Sequence, residues 1–245
     1  MGGPAAERQA AGLDASFGEP TMRLNTDYAL RVIVTPDQYQ WSASPQEGVE
    51  RVMLDRSGGE QARATSIVRY APRSRFPTHV HHGGEEIFVL TGTFSEDGGH
   101  YPAGWYMRNP PGSIHQPFSD EGALIFVKLQ QMQVGEDREV RIDTRDPACW
   151  QQSEGREVCP LFARDGEQVS LQRLRSAERL LFRVEGGVEL LVLAGKVAVD
   201  DRPCPVGSWI RLLDGDLPDI VAGAAGATVY LKTGHLARAL REERA

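Results

Sequence analysis

The stretch His79-Val80-His81-His82-Gly83-Gly84-Glu85-Glu86 concentrates three imidazoles and two carboxylates around a pair of glycines. In an extended strand alternate side chains share a face, so His79 and His81 project together while Val80 and His82 point away. Gly83-Gly84 is a turn signal, and the apolar run after it reads as a returning strand that brings Glu85 back beside the two histidines. A further imidazole, His115, follows the turn-like Asn109-Pro110-Pro111-Gly112-Ser113. Three nitrogens and one carboxylate make a donor set of intermediate softness, suited to Zn, Fe, Ni, Cu or Mn rather than Ca or Mg. Four such ligands around zinc can close a structural tetrahedron, whereas six-coordinate Fe(II), Mn(II) or Ni(II) keeps positions for oxygen, water or a chelating substrate. The same alternation rejects His82 and Glu86 as ligands.

The elements that must position these groups are strands. From Leu30 onward, short apolar or alternating runs are punctuated by Gly, Pro, Asp and Ser, the pattern of an all-β protein. Strands are expected at 29–34, 49–55, 64–70, 76–81, 86–93, 104–109, 115–119 and 123–130, and one short amphipathic helix at 236–241. Residues 1–24 are expected to be a mobile tail, since the Ala- and Gly-rich start lacks the basic and apolar regions of a signal peptide. The chain of 245 residues carries a formal net charge of -7, with 40% hydrophobic and 25% charged residues. That composition describes a globular protein without a membrane span, and its acidity argues against nucleic-acid binding. Cys149, Cys159 and Cys204 form no C-x-x-C pair, so reduced thiols and a cytoplasmic location are expected.

The second half repeats the first. Residues 83–92 align with 186–195, Pro102-Ala103-Gly104 with Pro205-Val206-Gly207 at the same offset, and 122–128 with 226–232 after one added residue. Two copies of one β-fold follow, divided into 25–140 and 141–245. The copies differ at the ligands: His79, His81, Glu85 and His115 fall opposite Phe182, Val184, Val188 and Pro218, none of which suits such an ion. The second copy is therefore expected to be metal-free and to serve packing, pocket walls or subunit contacts, which leaves a homodimer open.

The spacing resembles the two motifs of the cupin superfamily. His79, His81, Glu85 and Gly92 fit the first, G-x5-H-x-H-x3-E-x6-G, with Arg73 at its leading glycine. Gly104, Pro110, Gly112 and His115 fit the second, G-x5-P-x-G-x2-H-x3-N, with Ser119 at its asparagine. Within cupins, residues 64–72, 84–92 and 106–113 are most similar to the ChrR-like subgroup. The resemblance implies a bicupin of two small jelly-roll β-barrels, with one divalent transition metal ion, Zn, Fe, Mn or Ni, held inside the first barrel by His79, His81, Glu85 and His115.

It also implies a range of chemistry. One expectation is a mononuclear-metal dioxygenase or related enzyme acting on a small dicarbonyl-like compound. The alternatives are a metal-dependent sensor or small-molecule-binding protein related to the cupin domain of ChrR anti-sigma factors, or a structural zinc site. Regulation by sigma-factor capture is not expected, because no cysteine or helical bundle precedes the cupin region. Arg69, Tyr106 and Arg108 are candidates for the pocket wall, although Arg108 has a repeat counterpart in Arg211 and a structural ion-pair role is the simpler reading for it. Glu86 has a counterpart too, Glu189, which argues for a role independent of metal.

Overall fold

The computed structural model describes residues 22–59, 61–180, 186–216 and 218–237. Strands dominate, joined by turns and two single 3-10 turns at Pro36–Gln38 and Pro147–Cys149. Among the described residues no helix is long and apolar enough to cross a membrane. Residues 238–241 of the expected terminal helix, and the tail before Met22, lie outside the described residues.

Two large antiparallel sheets carry the two repeats. The path of the first runs through Met22–Leu24, Val49–Gly58, Arg63–Tyr70, Ala123–Leu129, Glu85–Glu96, Trp105–Asn109 and Val140–Asp143. The second runs through Gln151–Ser153, Arg156–Arg164, Glu167–Leu174, Ile220–Thr233, Val188–Val199, Trp209–Leu212 and Val32–Val34. Neither path returns to its first strand, so the expectation of two closed jelly-roll barrels is corrected: the fold is all-β and two-sheeted, but no sheet closes on itself. In the first half the interruption lies around the histidines. His79–His81 and Ser113–His115 pair only with each other, as a separate two-stranded ribbon. Pro77, Pro110, Pro111 and Pro117 flank it, and residues without an N–H interrupt the ladder that closure would need.

The repeats also exchange strands. Val32–Val34 stands at the start of the first repeat yet pairs with Trp209–Leu212 of the second sheet. Val140–Asp143 stands at the start of the second repeat yet pairs with Trp105–Asn109 of the first. Because Trp105–Asn109 and Trp209–Leu212 are repeat equivalents, each half lends its leading strand to the other.

Strand alternation sorts most of the described core into three large clusters. Ile87, Val89, Ile125, Val127 and Tyr70 face the interior of the first half. Leu190, Val192, Ile210 and Val229 fill the interior of the second. Between the sheets lies a shared cluster that includes Val52, Ile67, Phe88 and Phe126 from the first and Phe162, Leu171, Trp209 and Tyr230 from the second. Phe126 meets Tyr230 edge to face with ring centroids 5.3 Å apart.

One end of this interface holds buried charge arranged with the symmetry of the repeat. Glu86 accepts from Lys232 Nζ at 2.5 Å, from Arg108 Nη1 at 2.8 Å and from the Tyr230 hydroxyl. Its counterpart Glu189 accepts from Lys128, the counterpart of Lys232. Each half therefore sends a lysine to the other half's glutamate. Burial alone would raise the Glu86 carboxyl, but Lys232 and Arg108 hold it at about 2. Burial would likewise raise Glu189, which Lys128 and His235 hold well below the carboxylate range. Arg108 also binds Glu136 through two nitrogens, at 2.8 and 2.9 Å, and Glu167 at 2.9 Å, and its guanidinium lies 3.7 Å over the Phe162 ring.

Removing one partner of such a pair strands the other charge. Lys128→Met is expected to lower the unfolding free energy by about 3–5 kcal/mol, and Lys128→Met/Glu189→Leu to recover much of that loss, as read by urea denaturation. Burial also depresses the His235 imidazole from 6.5 to about 4, although Glu189 Oε1 stands 3.2 Å from its Nε2. Its folded value lies below the unfolded one, so its contribution is complete above about pH 6.5 and is lost as pH falls toward about 4, where the folded state also protonates. The expected loss is about 3 kcal/mol across that window, and urea titrations of His235→Leu should show a correspondingly flatter pH dependence.

Candidate metal centre

The ribbon of His79–His81 and Ser113–His115 puts three imidazoles together by register alone. His79 pairs directly with His115, and His81 with Ser113, so all three histidines share the inward face while Val80 and Ile114 share the outward one. The ring centroids are 4.6 Å apart for His79 and His81, 5.0 Å for His79 and His115, and 4.7 Å for His81 and His115. One ring nitrogen from each lies within 4.8 Å of the others, the geometry of a site that can hold a metal ion.

Glu85 reaches the same centre from the main sheet. Its Oε2 stands 3.3 Å from His81 Nε2 and 3.4 Å from His115 Nε2. The turn before it depends on Gly84, whose φ is +76° and whose Cβ, if it had one, would lie 2.4 Å from Met132 Sδ, so only glycine fits there. His82, one residue past the ribbon, is exposed.

The surrounding groups aim the donor atoms. His79 Nδ1 lies 2.9 Å from the Pro77 carbonyl oxygen and His115 Nδ1 2.5 Å from Glu96 Oε2. Each contact places a proton on Nδ1 and leaves the Nε2 lone pair for the centre. His81 Nε2 and His115 Nε2 stand only 2.8 Å apart, close enough that a proton or a cation must lie between them. The donor set and its orientation thus fit a transition-metal ion.

A closed chain of hydrogen bonds locks this arrangement. Asn109 Nδ2 donates to Glu85 Oε2 at 3.0 Å, Arg141 Nη2 donates to Asn109 Oδ1 at 2.6 Å and to Glu96 Oε1 at 2.7 Å, and Glu96 holds His115. Burial would raise the Glu85 carboxyl, but His81 and His115, with the Asn109 hydrogen bond, hold it below its ordinary value. Burial lowers His81. It also opposes protonation of His115, yet the Glu96 hydrogen bond and the Glu85 charge together raise that imidazole.

Glu96, Asn109 and Arg141 are not among the groups the sequence points to. Asn109 and Glu85 are register partners on adjacent strands, a link that strand pairing could expose. Arg141 could not be found that way, because it arrives on the strand lent by the second repeat. The candidates Arg69, Tyr106 and Arg108 line no part of the cavity beside the histidines. Arg69 lies 3.8 Å over the Trp41 ring and binds Glu50 at 3.2 Å, while Tyr106 and Arg108 are buried at the interface between the sheets. Opposite Glu85, Val188 is sealed within the apolar interior of the second half. Phe182 and Val184 lie outside the described residues.

Beside His79, His81 and Glu85 a cavity of about 350 Å³ opens toward Val49, Val68, Tyr70 and Phe76. That volume suits a small organic molecule.

Residues 29–133 match the ChrR cupin-like domain family. No curated protein sequence matches the chain. Among solved structures, the chain is similar to the Escherichia coli pirin YhhW in complex with nickel(II), with a TM-score of 0.63, 13% identity, and 83% of this chain and 99% of that one covered. A candidate dioxygenase from Nostoc punctiforme aligns with a TM-score of 0.62 and 14% identity over 89% of this chain and 84% of its own. Ylba from Escherichia coli aligns with a TM-score of 0.64 and 15% identity over 88% and 94%. At these identities the likeness is one of fold.

Glu96 orients His115 without reaching the centre, so Glu96→Gln tests the bracing directly. The variant is expected to keep its fold and to bind zinc about 10- to 100-fold more weakly than the native chain in a chelator-competition titration. Equal affinity would show that the Glu96 contact does not aim the ligand.

Proposed function

We propose, from the match of residues 29–133 to the ChrR cupin-like domain family and from the geometry of the histidine centre, that the protein is a mononuclear-metal enzyme acting on a small oxygenated, dicarbonyl-like compound. His79, His81, Glu85 and His115 would hold one divalent transition metal ion, zinc, iron, manganese or nickel, and a six-coordinate ion there would keep positions for oxygen and a chelating substrate. The observation that carries the reading is the convergence of three imidazoles and a carboxylate beside a cavity of about 350 Å³.

When bound, the ion supplies Lewis acidity, a template for a chelating substrate and, for iron, redox chemistry. The chain's own residues do the rest. Glu96 keeps the proton on His115 Nδ1, so that the opposite nitrogen faces inward. Asn109 fixes the Glu85 carboxylate and Arg141 fixes Asn109. Val49, Val68 and Ile125 give the cavity an apolar wall, which limits water around the reacting groups and favours a ligand with a hydrocarbon body. The nickel(II) complex of YhhW and the dioxygenase description of the Nostoc punctiforme protein accord with this reading at the level of a shared fold.

Metal analysis of protein purified without added metal should give close to one ion per chain, falling to background in His79→Ala and Glu85→Gln. The iron(II)-loaded chain should then consume oxygen with at least one member of a panel of diketones and hydroxyketones. Full metal occupancy without oxygen uptake would remove the oxygenase assignment and give the site a sensing or structural role.

A further inference from the structure

The wall of the cavity beside the histidines holds a hydroxyl that nothing in the described fold uses. Arg51 and Arg56 line the same cavity, but both are engaged within the fold, Arg56 by donating to the Gly59 carbonyl. Tyr70 lines it too, and the residue is only 6% exposed. Among the described residues its hydroxyl has no hydrogen-bond partner, yet the oxygen is not sealed off. It therefore opens onto the cavity, whereas a buried phenol ordinarily finds a partner within the protein.

The packing holds this group beside the metal centre. The Tyr70 ring meets Phe94 edge to face with centroids 5.8 Å apart, and Phe76 at 6.2 Å. Phe94 lies 6.4 Å from the His115 ring and Phe76 5.5 Å from the His79 ring, so two aromatic side chains link the tyrosine to two of the three histidines. Burial, with the Glu85 charge nearby, raises the phenol well above its ordinary value, which keeps it protonated and able to donate. The repeat separates the hydroxyl from the scaffold. Tyr70 pairs with Ala123, and Leu174 pairs with the equivalent Ala227. The half without metal ligands thus has leucine, packed in its apolar interior, where the half with them has tyrosine. Ser66, another lining residue whose hydroxyl has no partner among the described residues, is matched by Ser170 and offers no such contrast.

We infer that Tyr70 is a ligand-binding residue of this cavity, donating a hydrogen bond from its hydroxyl to the oxygen of a small carbonyl compound. The hydrocarbon body of that compound lies against Val68, Ile125 and Val127. The class of ligand rests on the proposed function, whereas the part played by Tyr70 rests on the unused donor.

The test is titration of the zinc-loaded full chain with isobutyroin, a branched hydroxyketone isotopically labelled at its carbonyl carbon, read by calorimetry and by infrared spectroscopy. Zinc has no redox chemistry, so binding is measured without oxidation. Tyr70→Phe should bind about threefold to tenfold more weakly than the native chain, the range for one neutral hydrogen bond. The carbonyl band of the bound ketone should lie at higher wavenumber in the variant, because a donated hydrogen bond weakens the C=O bond. The melting temperature should equal or exceed that of the native chain, since the substitution deletes an unpartnered hydroxyl and keeps the ring. Tyr106→Phe removes a hydroxyl sealed between the sheets, away from the cavity, and should leave affinity and band unchanged. Equal affinity or an unshifted band in Tyr70→Phe overturns the inference, as does the same loss in Tyr106→Phe or an absence of binding by the native chain. Metal content is measured on every sample: a chain that takes up no ion removes the proposed function, and the Tyr70 comparison is then read on the metal-free protein. A metal-loaded chain in which Tyr70→Phe changes nothing removes only the role of Tyr70.

Discussion

Glu85 and Glu86 are neighbours in sequence, and the pleat of one strand sends them to opposite faces of one sheet. Glu85 turns inward to His81 and His115, while Glu86 turns outward to Lys232, Arg108 and Tyr230 of the interface between the halves. The position of one carboxylate cannot shift along the strand without moving the other. A one-residue slip would bury Glu86 among the histidines and leave Lys232 facing an uncharged neighbour, so each polar cluster fixes the register that the other requires. The buried ion pairs add little net stability over apolar packing of the same volume. Their value lies in specifying which face of the sheet meets the second half.

The second half also reaches the site more directly. Arg141 stands on the strand that this half lends to the first sheet, and it joins Glu96 to Asn109 behind the histidines. Glu96 and Asn109, which orient His115 and Glu85, are therefore tied together through an arginine on that strand. The first half alone would lack this brace, which gives the other half a part in positioning the ligands.

How much of this was legible before the structure depends on the range of the interaction. Alternation and a glycine turn separate Glu85 from Glu86 and unite His79 with His81, because both are local properties of a strand and its return. The repeat follows from the shared glycines and prolines at one offset, and most strand positions from the alternating runs. Closure of the sheets into barrels was expected from the resemblance and does not occur, since whether two edges meet depends on where prolines interrupt a ladder. The exchange of Val32–Val34 and Val140–Asp143 was not legible either: two short strands of similar composition can pair with either repeat, and only the packed structure chooses. Arg69 and Tyr106 illustrate the same limit: their strands are where they were expected, but their side chains face the outer side of the sheet. Arg108 shares that face, and its ion pairs with Glu86, Glu136 and Glu167 accord with the structural reading that its repeat counterpart suggested.

The contrast between the two interiors explains why only one of them carries a polar site. In the second half, Val188, Leu190, Val192, Ile210 and Val229 are all fully buried and in one cluster, and side chains of this kind each contribute about 1.5–3 kcal/mol when removed from water. In the first, the corresponding end of the interior is given over to three imidazoles, a carboxylate and a cavity of about 350 Å³. An empty space of that size beside buried polar groups forfeits packing and transfer energy that a filled core would supply. The two sheets share one continuous apolar interface, so the filled interior of the second half stabilises the same cooperative unit that the open interior of the first half weakens. The filled interior of one half thus offsets the open interior of the other, and the charges that cross the interface tie the two halves together.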